Sequence, residues 1–150
     1  MSDAAGLEVA IHIDARPETV FEFFIDPARY VEWMGSDATI EPVPGGTYRV
    51  RMRDGVETAG EFVEIDPPHR LVFTWGWQGD EVVPPTSTRV EIILTPTGSG
   101  TDLLLRHLGL PGQAQRAHHR QGWEMYLNRL ATRASGGDPG PDPNAEQLRP

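Results

Sequence analysis

Leu7, Val9, Ile11 and Ile13 alternate with Glu8, Ala10 and His12, the period-two pattern of a strand with one buried face. Asp14, Ala15 and Arg16 then lead into Pro17 and Glu18. Proline suits the first turn of a helix and an acidic residue there favours the helix dipole. Val20, Phe21 and Phe24 give this short helix an apolar stripe, and Asp26-Pro27 ends it, because the residue before a proline is pushed out of the α region. A second short helix is predicted over 28–33, with Tyr30, Trp33 and Met34 in need of cover and Gly35 as its break.

Pro42 to Gly46 reads as a tight turn between two strands. In the second of these, Tyr48, Val50 and Met52 alternate with Arg49, Arg51 and Arg53, an apolar face backed by solvated cations. Asp54-Gly55 supplies a hairpin. The next strand runs from Glu57 to Ile65 and is closed by Asp66-Pro67-Pro68. Leu71, Phe73, Trp75 and Trp77 then share one strand face, the heaviest aromatic row in the chain. After a polar loop, Gln78 to Pro85, a strand places Val90, Ile92 and Leu94 opposite Arg89, Glu91 and Ile93. A hairpin at Thr97 to Gly100 leads to the last strand, with Leu103, Leu105 and His107 on one face.

From Gln113 to Ala134 the period changes to 3.6. His119, Trp123, Tyr126, Leu127, Leu130 and Ala134 fall on one side, while Arg116, Arg120, Glu124, Asn128 and Arg129 fall largely elsewhere. This helix wants a partner, and the preceding strands are the available one. The pattern predicts an α+β fold: an antiparallel sheet of six or seven strands around a long C-terminal helix, with two short helices after the first strand. A single domain over 1–134 is expected, followed by a flexible Gly/Pro/Asp-rich tail over 135–150.

Composition narrows the partners. With 13 basic and 22 acidic residues the net charge is -9, which disfavours phosphate backbones, so nucleic acid is not an expected partner. The absence of cysteine removes disulfides and thiolate chemistry. No run approaches the apolar length of a membrane span, and the N-terminus lacks a basic and then apolar leader, so a cytoplasmic protein is expected.

Three separated stretches, IHIDARPETVFEFFIDPARYVEWM, GEFVEIDPPHRLVFTWGW and GWEMYLNRL, resemble the START/Bet v-like superfamily. Within it they resemble the branch of the activator of the 90-kDa heat-shock-protein ATPase. The resemblance runs from about Leu7 to Ala134 and includes Pro17, Trp33, Pro67-Pro68 and Gly122-Trp123. It implies a helix-grip fold with a cavity between sheet and helix. Superfamily members bind lipids, sterols or plant hormones, cyclise polyketides, or assist a chaperone. The chain departs from the pattern at Arg16, where a polar capping residue is common before the proline. It also has no counterpart to the namesake cochaperone's chaperone-binding N-terminal domain.

Ligand binding in that cavity is the leading expectation, with a small apolar or aromatic molecule as the partner. A cyclase- or hydrolase-like enzyme and a chaperone-ATPase activator are the alternatives. The aromatic row offers a ligand wall; the competing reading is plain core, expected for Leu71 and Phe73, with Trp75 and Trp77 nearer the opening. Trp33 and Met34 could close the same space, and Trp123 and Leu127 face it from the helix. Tyr48 and Tyr126 could each present a hydroxyl to a ligand, to solvent or to a backbone carbonyl.

His107 and His119 could meet inside the fold and do acid/base work, or they could be exposed imidazoles at a strand end and a helix start. The remaining histidines do not converge, so no metal is predicted, and no cofactor. Edge strands and the short helices leave a homodimer possible.

Overall fold

The structure, a computed structural model, describes residues 6–142. The alternating first segment forms β1 (Gly6–Ile13), followed by α1 (Pro17–Ile25) and α2 (Pro27–Tyr30). Pro17 opens α1 as expected, and Arg16 at its N-cap makes no side-chain capping bond. Asp26 closes α1 and caps α2, its carboxylate accepting from the Ala28 amide at 2.9 Å. The second helix is shorter than its apolar residues suggest: the chain continues as turns from Tyr30 to Met34, where Gly35 at φ +83° redirects it into β2 (Asp37–Ile40).

Five further strands follow: β3 (Thr47–Arg51), β4 (Glu57–Asp66), β5 (Arg70–Trp75), β6 (Thr88–Thr97) and β7 (Gly100–Leu108). All pairs are antiparallel, in the order β1-β7-β6-β5-β4-β3-β2, so the first strand closes one edge beside the last. An irregularity between Phe62 and Glu64 shifts the register of β4 against β5; such bulges increase local bending and twist. The long helix α3 (Gly112–Ala134) buries His119, Trp123, Tyr126, Leu127 and Leu130, matching the predicted stripe. In the same core cluster lie Phe24, Trp33, Tyr48, Phe62, Phe73 and Trp75, all fully buried. Burying a large apolar side chain contributes roughly 1.5–3 kcal/mol, so these rings, with the aliphatic faces of β6 and β7, dominate cohesion.

Two segments differ from expectation. Regular strand pairing stops at Trp75, and Trp77 meets β4 only through an isolated bridge to Thr58. Gly76 lies between them with no room for a side chain, since a Cβ there would sit 1.7 Å from the Pro84 carbonyl oxygen. The chain beyond α3, expected to be a flexible tail, folds back over the helix as far as described. Arg129 Nη1 donates to the carbonyls of Pro139, Gly140 and Pro141 at 3.0–3.3 Å, and the Tyr126 hydroxyl donates to buried Asp142 at 3.1 Å. The rest of the expected tail, 143–150, lies outside the described residues. No helix among the described residues is long and apolar enough to cross a membrane.

Candidate functional site

Between α3 and the end of β5 lies a cleft of about 930 Å³, within the range of small-molecule sites. Its aromatic wall comes from Trp75, Trp77, Trp123 and Tyr126, with Met34, Met52 and Met125 adding flexible apolar surface. Trp75 is the centre of the wall: its ring lies 5.0 Å from that of Trp123 and 5.3 Å from that of Trp77. The rim is polar. Asp54 and Val56 come from the β3–β4 hairpin, 78–81 from the loop after Trp77, and Gln115, His118 and Gln121 from the first half of α3. Three carboxylates, Asp54, Asp80 and Glu81, line the cleft, and none of the described residues lining it is Lys or Arg.

The two histidines do meet, with ring centroids 5.3 Å apart, and the exposed-imidazole reading is overturned. His107 is 0% exposed and His119 6%. Each is held as a neutral ring with both nitrogens in use. His107 Nδ1 accepts from Trp123 Nε1 at 3.0 Å, so Nε2 carries the hydrogen and faces Thr88 Oγ1 at 2.9 Å; that hydroxyl in turn donates to the Trp75 carbonyl at 2.7 Å. Burial, with the neighbouring His119 ring, pushes the His107 pKa down to about 3. His119 Nε2 accepts from Trp77 Nε1 at 3.1 Å, which leaves Nδ1 to donate to the Gln115 carbonyl at 2.9 Å. Burial lowers its pKa too, against the Gln115 carbonyl and Asp80, which favour the charged ring. Asp80 is held below the usual carboxylate range by the backbone amides of Val83 and Val82.

Of the residues expected at a ligand, Met34, Trp75, Trp77, His119, Trp123 and Tyr126 reach the cleft, whereas Trp33, Tyr48, Phe73, His107 and Leu127 do not. The latter five lie in the core behind the wall. Trp33 spends its indole N–H on the Phe23 carbonyl at 3.1 Å, Tyr48 stacks on Phe73 at 4.1 Å and bonds the Tyr30 hydroxyl, and Leu127 is fully enclosed. Sequence reasoning missed the rim residues. Of the α3 members among them, Gln115 sits one helical turn before His119, a signal that was available, whereas His118 and Gln121 lie off the predicted apolar stripe; the hairpin and loop members carried none. Among the described residues no group of three or more His, Asp or Glu is placed to hold a metal.

A sequence model of the family described as Activator of Hsp90 ATPase homolog 1-like protein matches residues 14–135. The chain belongs to this family. Among solved structures, an AHSA1-like protein from Rhizobium etli is 46% identical, with a TM-score of 0.73 over 92% of this chain and 86% of that one. DynU16, of the dynemicin biosynthetic locus, is 28% identical with a TM-score of 0.78 over 90% of this chain and 49% of that one, so the present chain spans about half its length. The Aha1 dimer from Colwellia psychrerythraea is 18% identical with a TM-score of 0.77 over 88% of this chain and 97% of that one, a likeness of fold alone. No curated protein matches the chain significantly. With these relatives the AHSA1-like chain shares the helix-grip arrangement of sheet and C-terminal helix.

Proposed function

We propose that this AHSA1-like protein binds a small, flat, largely apolar organic molecule in the cleft beside α3. The observation that carries the reading is the aromatic wall of Trp75, Trp77, Trp123 and Tyr126 around a space of about 930 Å³. Rings packed in this way present broad apolar faces to a polycyclic ligand. The acidic rim without a facing Lys or Arg argues against fatty-acid or phosphate-bearing ligands, whose charge it would repel. The likeness to DynU16, a protein of a biosynthetic locus, supports a metabolite of this kind.

Binding is favoured over cyclase- or hydrolase-like chemistry with His107 as the base because that ring is occupied. A general base needs a free nitrogen within reach of substrate, and both nitrogens of His107 are taken in a buried network. Titration of tryptophan fluorescence with 2-acetylnaphthalene tests the proposal. The expected result is saturable quenching in the native protein and its loss in Gly122→Leu, which fills the cleft from α3. Absence of quenching up to the solubility of the probe, or equal quenching in Gly122→Leu, refutes it.

A further inference from the structure

The side chains that wall the cleft spend their hydrogen-bond donors within the fold. Trp77 Nε1 donates to His119 and Trp123 Nε1 to His107, while His119 Nδ1 donates to the Gln115 carbonyl and the Tyr126 hydroxyl to Asp142. Trp75 Nε1 is enclosed and has no surface to offer. An occupant of the cleft therefore meets ring surface from these residues and no donor. The rings stand in different planes, with Trp77 at 84° and Trp123 at 51° to Trp75. Aromatic faces, indole above all, attract a positive charge through the ring quadrupole.

The rim adds acceptors and negative charge. Asp54 Oδ1 accepts from the Val56 amide at 2.9 Å, and Asp80 Oδ1 from the amides of Val82 and Val83 at 2.7 and 3.0 Å. Each carboxylate is thus oriented by its own turn, and its second oxygen receives no donor among the described residues. Exposed Glu81 is the third carboxylate lining the cleft. None of the three forms an ion pair among the described residues. The arginines of α3 are committed elsewhere: Arg116 to the Leu110 carbonyl, Arg120 to that of Glu8, Arg129 to that of Trp33, and Arg133 to the Glu32 carboxylate. The charge of Asp80 is already felt in the wall, where it favours the protonated form of His119 against the effect of burial.

We propose that the cleft selects an organic cation: an aromatic molecule bearing a protonated amine, with its ring system against the tryptophans and its ammonium group at the rim beside Asp54, Asp80 and Glu81. An ammonium group carries donors and no acceptor, so it complements a lining whose acceptors are available and whose donors are spent. A neutral analogue gains neither the attraction of the carboxylates nor that of the ring faces, and an anion meets three like charges. This inference rests on the cleft being a ligand site.

The test compares 2-naphthylmethylamine, 2-naphthylmethanol and 2-naphthoate, which share one ring system and are cationic, neutral and anionic at pH 7. Calorimetric titration is expected to show the amine binding about tenfold more tightly than the alcohol in dilute buffer, with the carboxylate weakest. At about 1 M salt, where the Debye length falls to roughly 3 Å, the preference should shrink to a few-fold. Asp54→Asn with Glu81→Gln removes two rim charges and is expected to shrink it likewise in dilute buffer. Glu61→Gln with Glu124→Gln removes the same charge from exposed residues that do not line the cleft, and should keep the preference. Equal binding of amine and alcohol, tighter binding of the carboxylate, or the same loss in both double variants overturns the cation site and leaves the cleft reading standing. Binding of none of the three compounds overturns both.

Discussion

Protonation of His107 should make this fold lose stability in mildly acidic solution. The ring is neutral in the folded protein because burial holds its pKa at about 3, while in the unfolded chain it titrates near the ordinary histidine value of about 6.5. Above that value both states carry a neutral ring and His107 adds no pH dependence. Below it the unfolded chain binds a proton that the folded one refuses, so stability falls continuously until the folded ring itself titrates. Linkage gives a loss of about 2 kcal/mol between pH 7 and pH 5 and a limit of about 5 kcal/mol near pH 3.

His119 shifts in the same direction. His12 acts oppositely, because its exposed ring is bonded to Asp102 and has a raised pKa, so its contribution is present below the unfolded value and lost as pH rises. The three depressed carboxylates, Glu41, Asp80 and Asp102, lose their contributions as pH falls through the lower carboxylate range, mostly beneath this window. Urea denaturation at pH 7, 6 and 5 reads the slope. His107→Gln should be less stable at pH 7, since Trp123 and Thr88 lose a partner of the right geometry, yet its stability should decline less between pH 7 and pH 5. An unchanged slope in that variant, or an NMR titration of the folded His107 ring with a midpoint above pH 5, would refute the reasoning.

Three other substitutions follow from local geometry. Gly122 lies inside α3, and a Cβ added there would meet nothing within 4 Å, so Gly122→Ala should raise stability by about 0.8–1 kcal/mol through helix propensity alone, read as a higher urea midpoint. Gly76→Ala would drive its Cβ into the Pro84 carbonyl and should cost at least about 2 kcal/mol while detaching the loop over 77–87; hydrogen exchange at the Trp77 amide, which donates to Val83 at 2.8 Å, reports the detachment. Arg129→Met removes the guanidinium that gathers the carbonyls of Trp33, Pro139, Gly140 and Pro141, and limited proteolysis should then cut the chain within 136–142 faster than in the native protein.

Periodicity carried the architecture because a strand or helix with one buried face writes its geometry directly into residue order. The stripe on α3 and the alternation in β1, β3 and β7 are of this kind. Where burial has another cause, parity fails. Glu91 lies on the outward side of β6 yet is 8% exposed, enclosed by Arg70 and Arg106, each with a guanidinium nitrogen 3.8 Å from its carboxylate. The site was harder still. Phe73 and Trp75 are two residues apart on one strand face, and only their depth in the curved sheet makes one core and the other cleft wall. For His107 strand parity with Leu103 and Leu105 was the one local sign of burial, because its partners Trp123 and Thr88 lie 16 and 19 residues away, and a neutral buried imidazole is tolerable only once both have arrived.

That network also explains why a cleft persists beside a helix the sheet is built to grip. A tryptophan placed on α3 at position 123 must satisfy its N–H once buried, and His107 on β7 does so, fixing the middle of the helix to the sheet floor. Arg120 ties the β1 side, donating to the Glu8 carbonyl at 2.7 Å. On the other side, the Trp77 to His119 bond crosses the gap near the start of the helix, and Asp142, from the chain beyond α3, accepts from Tyr126 further along it. Between these ties stands Gly122, with no side chain to fill the interval. The cleft is thus a consequence of where α3 is pinned: polar bonds set the distance between helix and sheet, and the aromatic wall lines a space that close apolar packing would otherwise have removed.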